Sequence, residues 1–215
     1  MTTAKDLFII AMDPRPDRSV GQGDLSLALA GAELIDLIDA GAVTVDEDRI
    51  VPDEASAPQD GLLGEAAALL IRESPHERIE DWLWRRGRDL AAAYQAALEE
   101  DGELTRKRSG RLSFGSERVE PVDTPARRAA VERWEEREPV LAALASAIGV
   151  EGGPSGVEGG PSGVEGGASD EEPGLDDEAV TVVVTAVHDA VMELEAVRQR
   201  RTIENSAFAN LWRGP

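Results

Sequence analysis

Apolar positions at three- and four-residue spacing predict that most of this chain is helical. The most continuous signal lies at residues 24–40, DLSLALAGAELIDLIDA. There Leu25, Leu27, Leu29, Leu34, Ile35, Leu37 and Ile38 occupy most of the circumference, and only Ser26, Glu33, Asp36 and Asp39 interrupt. A helix apolar nearly all round is packed on several sides, so this segment is predicted as the central helix. Asp24 and Gly41 are its expected N- and C-terminal caps, and Ala28, Ala30, Gly31 and Ala32 would permit a close crossing. Ahead of it, DLFIIAM at 6–12 fits either a buried strand or the first turns of a core helix, and it stops at Asp13 and Pro14.

After the central helix the period changes. Val43 and Val45, the turn Asp46-Glu47-Asp48, then Ile50 and Val51 predict a β-hairpin over 42–52. Leu62, Leu63, Ala66, Leu69 and Leu70 predict a helix over 62–72, broken by Ser74-Pro75. Ile79, Trp82, Leu83, Leu90, Tyr94 and Leu98 predict one longer helix over 76–100, weakened by Gly87. A second hairpin is expected over 103–114, with the basic tip Lys107-Arg108-Ser109-Gly110. Residues 124–148 return to helix, with Pro125 in the first helical position. The last long helix is predicted over 178–200 on the seam Val180, Val184, Val187, Val191 and Leu194, although TVVVT leaves a strand as the alternative. Phe208, Leu211 and Trp212 fall at helical spacing in a C-terminal tail, 201–215.

One segment has no such period. GVEGGPS occurs at 149–155 and 156–162, and GVEGGAS at 163–169. A seven-residue Gly/Pro repeat followed by an acidic run is low complexity and cannot build a core. Residues 149–177 are therefore expected to be a disordered loop. The predicted fold class is mainly α: a single helical-bundle domain over 5–200, around a buried central helix, with two small β-hairpins.

Charge narrows the chemistry. The 215 residues carry 22 Lys and Arg against 43 Asp and Glu, a formal net charge of −21. Such a chain is a poor general binder of phosphate backbones. It contains no cysteine, and its two histidines, His76 and His188, lie far apart. Thiolate nucleophiles, cysteine-ligated zinc and histidine-rich metal sites are excluded, and neither histidine has a partner for a Ser/His/Asp site. The Gly-rich repeat lacks the GK[ST] ending of a P-loop. No enzyme, cofactor or metal is expected. The opening residues do not read as a signal peptide and no 18-residue apolar run occurs, so a cytoplasmic protein is expected. Against the acidic background, residues 104–133 hold eight basic and four acidic side chains.

The phrases LAGAELIDL and AGAVTV, followed by LEEDGEL, a basic tip and LSF, come in an order that resembles the Golgi phosphoprotein 3 family, in its bacterial, actinomycete-type form. The likeness covers about residues 5–148, and more loosely 178–200. It implies a helical bundle around a buried central helix. It also implies peripheral membrane attachment, binding of phosphatidylinositol 4-phosphate, and an adaptor role without catalysis. The family's second hairpin, here 103–114, contributes to membrane contact and self-association. The family places a lipid-binding Trp ahead of the central helix and an Arg nine residues further on; here those positions are Gly21 and Ala30. Of its two later basic positions, one corresponds to Arg88 and the other to Ala91, with Arg85 and Arg86 nearby.

The candidate phosphate-binding set is therefore Arg85, Arg86, Arg88, Arg106, Lys107, Arg108 and Arg111, because guanidinium forks match phosphate oxygens. Trp84, Leu112 and Phe114 are the candidate membrane-contacting residues. Trp82 and Trp84 are two apart and must point to different faces, one into the core and one outward. The expected partner is an anionic phospholipid headgroup, held weakly, on the inner face of the membrane, with a protein partner or a second copy at the hairpin. The competing view of the basic stretch is a solvated hairpin balancing acidic neighbours. The competing function is a winged-helix-like DNA-binding regulator with 103–114 as its wing. The overall charge opposes it, and no helix carries a base-reading set of Asn, Gln and Arg.

Overall fold

The computed structural model describes residues 2–12, 20–53, 58, 61–108, 117–150 and 177–212. Among them are eight helices and two antiparallel two-stranded sheets. The order is α1 (Thr3–Ala11), α2 (Gln22–Asp39), β1 (Val43–Asp46), β2 (Arg49–Pro52), α3 (Gly61–Ala68), α4 (Ile79–Arg86), α5 (Leu90–Glu100), β3 (Leu104–Arg108), β4 (Glu117–Pro121), α6 (Pro125–Glu135), α7 (Pro139–Ala147) and α8 (Glu178–Trp212). All of the repeat after Val150 lies outside the described residues.

α2 is the axis of the bundle. Every residue from Leu25 to Leu37 is buried, and α1, α3, α4, α5, α7 and α8 all pack on it. Gly31 sets the closest approach: a Cβ there would stand 2.3 Å from Val187 Cγ2 of α8. The apolar run at 6–12 is helical, as α1, and lies in this core with Leu7 and Phe8. Gly41 takes φ 68° just past the helix end, a conformation that Gly adopts without the Cβ penalty.

Two of the predicted long helices are each two helices. The segment 76–100 breaks at Gly87 into α4 and α5. A Cβ on Gly87 would come within 3.2 Å of the Ser26 carbonyl oxygen, so the break lies tight against α2. The Ser26 hydroxyl accepts from the Ala91 N–H at 3.0 Å, satisfying the first turn of α5 from another helix. The segment 124–148 breaks at Pro139, which starts α7 behind Glu138. The Glu138 carboxylate accepts from the Val140 and Leu141 N–H groups. Proline removes an intrahelical donor and clashes with the preceding turn, so a continuous helix cannot pass this point.

The first hairpin forms as predicted, with Asp46 paired to Arg49 across the turn. The Ile79 N–H donates to the Asp48 carbonyl, and the Ile50 N–H to the Glu77 carbonyl, which tie the hairpin to the start of α4. The second hairpin differs from expectation. β3 pairs with 117–121, opposing Lys107 to Arg118, so the return strand is later than 111–114. Arg111, Leu112 and Phe114 lie outside the described residues. The helix predicted over 62–72 stops at Ala68, and Leu69 and Ile71 are exposed beyond it. α8 forms in place of the alternative strand and continues unbroken past residue 200 to Trp212.

Candidate functional site

The polar residues of α2 fix which arginines remain available. Glu33 is buried, and it accepts from Arg86 Nε and Nη2 at 2.7 and 2.8 Å and from the Tyr94 hydroxyl at 3.1 Å. Arg86 Nη2 also donates to the Leu62 carbonyl oxygen at 3.1 Å. Arg86 is therefore occupied inside the fold, which corrects its expected place among the phosphate-binding residues. Burial pushes the Glu33 carboxyl above its ordinary value, against the pull of Arg86. Asp36 is buried beside it and accepts from the Thr3 and Ala4 N–H groups at 2.8 and 3.1 Å, so α2 caps α1. Burial raises this carboxyl as well.

Arg85 is half turned inward. Its fork closes on Glu77 with two contacts of 2.7 Å, and its guanidinium lies 5.2 Å from the Trp82 ring centroid. Trp82 is the core tryptophan and donates from Nε1 to the Ala30 carbonyl oxygen; Trp84 is the outward one, 36% exposed. The Trp82 and Trp84 expectation holds.

Arg88 has a different setting. It lies exposed in the break between α4 and α5 and lines a recess of about 460 Å³. The recess is bounded by Gln22, Gly23 and Ser26 of α2, by Trp84 and Gly87, and by Leu194 of α8. No side chain caps the first turn of α2, where Gly21 is the N-cap. The open N–H groups of that turn and the helix dipole favour an anion. Asp24 does not cap the helix as expected, because Arg198 of α8 holds both of its oxygens, at 2.8 and 2.7 Å. Asp89, at the N-cap of α5, also lines the recess and opposes a second negative charge there. Among the described residues Arg88 has no ion-pair partner.

The hairpin cations stand elsewhere. Arg106 Nε meets Glu99 in the last turn of α5 at 2.9 Å, and Lys107 Nζ meets Glu120 at 2.8 Å. Arg88 lies just ahead of the first turn of α5, so the hairpin and the recess sit at opposite ends of that helix, roughly 16 Å apart along its axis. Arg108 ends β3. The predicted cationic set is thus not one surface. Sequence reasoning missed Leu194 and Arg198 as neighbours of the α2 N-terminus, because nothing local to 21–24 signals a helix more than 170 residues away.

Among the described residues, no group of three or more His, Cys, Asp or Glu is placed to hold a metal ion, and no helix is long and apolar enough to cross a membrane. The class defined by this fold is a helical bundle wound on a buried polar-studded helix, with an open recess lined by Arg88 and Asp89. The Golgi phosphoprotein 3 family model matches residues 4–194, and the chain belongs to that family. The family is known for non-enzymatic adaptors. No curated protein matches the chain.

Proposed function

We propose that this protein is a non-catalytic peripheral membrane adaptor that binds anionic phospholipid headgroups at the Arg88 recess, weakly and without strict headgroup choice. The observation that carries this reading is the juxtaposition of Arg88, the half-exposed Trp84 and the uncapped first turn of α2 around one open cavity. A guanidinium and helix-end N–H groups are both phosphate-matching donors. An aromatic ring beside them suits the headgroup level of a bilayer. Headgroup choice is weak because Gly21 presents no side chain and Ala30 is fully buried. The Asp89 carboxylate at the rim further disfavours a polyphosphorylated headgroup.

Co-sedimentation with phosphatidylcholine vesicles, with and without phosphatidylserine, tests this reading. The protein should follow the anionic vesicles at low salt and leave them as salt rises, since the Debye length shrinks from about 10 Å at 0.1 M to about 3 Å at 1 M. Arg88→Glu should remove most of that binding. Tight, salt-resistant binding to phosphatidylinositol 4-phosphate alone would contradict the proposed lack of headgroup choice. A DNA gel shift run beside it, positive where the vesicles are not, would favour the wing-like alternative.

A further inference from the structure

A second arginine stands at the edge of the Arg88 recess. Arg198 of α8 lies beyond the matched residues 4–194 and holds both Asp24 oxygens through Nη1 alone, at 2.8 and 2.7 Å. Its Nη2 makes no hydrogen bond among the described residues. Two glycines make the room for that atom. Nη2 stands 3.3 Å from where a Cβ on Gly21 would be, and 3.0 Å from a Cβ on Gly23. Leu194, four residues earlier on the same face of α8, would meet the Gly23 Cβ at 2.9 Å. Gly23 and Leu194 both line the recess. Nη2 of Arg198 is thus brought to the rim by the fold, over a turn of α2 that has no side chains to cover it.

The charges at this rim are nearly balanced. Arg88 and Arg198 face Asp89 in the recess lining and Asp24 on α2, and Glu195 adds a half-exposed carboxylate 3.7 Å from Arg198 Nη1. Each guanidinium offers N–H donors that match phosphate oxygens. The carboxylates oppose a ligand in proportion to its charge. A phosphodiester brings one negative charge at neutral pH. A phosphomonoester, whose second pKa is about 6, brings close to two. Two arginines among carboxylates therefore hold the first charge and reject the second.

We infer that Arg198 is a second phosphate-binding residue of the recess, and that Arg88 and Arg198 together select phosphodiester headgroups over phosphomonoester ones. This rests on the membrane reading above and adds to it the charge state that the recess accepts. It also gives the lack of headgroup choice a physical form: the site reads the phosphate and not the group attached to it.

The test uses the full chain and phosphatidylcholine vesicles carrying either phosphatidylglycerol, a phosphodiester, or phosphatidic acid, a phosphomonoester, at matched surface charge. The phosphatidylglycerol vesicles should bind several-fold more tightly. Arg198→Gln should weaken that binding about tenfold, the loss of one charge-assisted contact. Gly23→Ala displaces Nη2 while leaving Arg198 in place. It should weaken binding without lowering the melting temperature, since Ala is the better helix former. In an Arg198→Gln background it should add nothing, because both changes act on one contact. Soluble glycerophosphoglycerol should leave the protein on the vesicles.

If the wild type binds, Arg88→Glu weakens binding and Arg198→Gln does not, the role of Arg198 is wrong and the recess reading stands. A preference for phosphatidic acid at matched charge would overturn the selection of phosphodiesters. Displacement by micromolar glycerophosphoglycerol would make the ligand a free phosphodiester and overturn the lipid source. If the wild type binds neither vesicle, the membrane reading falls and this inference with it.

Discussion

The buried polar residues of α2 and the charged residues of the β3–β4 hairpin are the same chemical types in opposite settings. Inside, Glu33, Asp36 and Ser26 each have a partner on another helix: Arg86, the N-terminus of α1 and the N-terminus of α5. These contacts are short, dry and fixed by packing. At the rim, Arg106 and Lys107 meet Glu99 and Glu120 in solvent, with side chains 58% and 65% exposed. A pair in water gains little beyond what each ion has from hydration. A buried pair is costly to assemble and much costlier to break. One ion pair and two backbone caps therefore fix helix positions in the interior, whereas two ion pairs at the hairpin fix little more than surface charge.

The sharpest test of the interior acts on α2 itself. Leu34 is fully buried, and Leu34→Asp would place a carboxylate among apolar neighbours with no partner. The expected outcome is loss of the folded state, read as loss of cooperative unfolding by circular dichroism. A soluble variant with wild-type melting would mean that α2 is not the axis. Arg86→Ala comes next. It leaves Glu33 buried without its cation and should cost about 3–5 kcal/mol in denaturant unfolding. Glu33→Gln with Arg86→Met should restore part of that loss, which a purely steric role for Arg86 would not predict. Gly31→Val is smaller, about 1–3 kcal/mol, because Val187 must give way along the α2–α8 crossing.

This contrast also separates what was legible in the sequence from what was not. The apolar face of α2 is written locally, in seven Leu and Ile positions, and so are the first hairpin and the small residues at the α8 crossing. The roles of Ser26, Glu33 and Asp36 are not, because each is defined by a group 33 to 65 residues away. In the sequence they read only as interruptions of an apolar pattern. The helix break at Gly87 had a local sign but a tertiary cause, the approach to Ser26. The break at Pro139 was fully legible from proline chemistry, and the helical period on either side masked it. For the site, Arg85, Arg86 and Arg88 looked alike in sequence. Only the packing of α4 on α2 turns one of them inward and leaves another over the recess.

Acidity should distinguish the regions in a second way. Burial raises the carboxyls of Asp6, Glu33 and Asp36 above their ordinary values. A carboxyl raised in the folded state takes up its proton more readily there than in the unfolded chain. Its contribution to stability is full below the ordinary carboxylate range and is lost as pH rises through the raised value. The excess negative charge acts in the same direction, because protonation relieves self-repulsion. The lowered carboxyls at the surface, Asp48 held by Arg78 and Glu99 held by Gln95 and then Arg106, act in the opposite direction. The melting temperature should therefore rise as pH falls from neutrality toward the carboxylate range, and Asp36→Asn should flatten that rise. A steady fall over the same interval would mean that the interior carboxylates are stabilised as anions.

The smallest effect is expected at the hairpin. Lys107→Ala removes an ion pair that water already screens, and the strand register beneath it is held by backbone pairing between β3 and β4. Its melting temperature should match the wild type within error. Under the proposed membrane reading the charge still adds to the field at the bilayer. If the recess carries attachment, reversing Arg106 and Lys107 to Glu should lower vesicle binding modestly at low salt and not at all at high salt. The hairpin lies roughly 16 Å from Arg88 along α5, beyond the Debye length of about 8 Å at physiological ionic strength. A loss of melting temperature in Lys107→Ala as large as that in Arg86→Ala would erase the distinction between the two regions. It would place the hairpin among the elements that hold the bundle together.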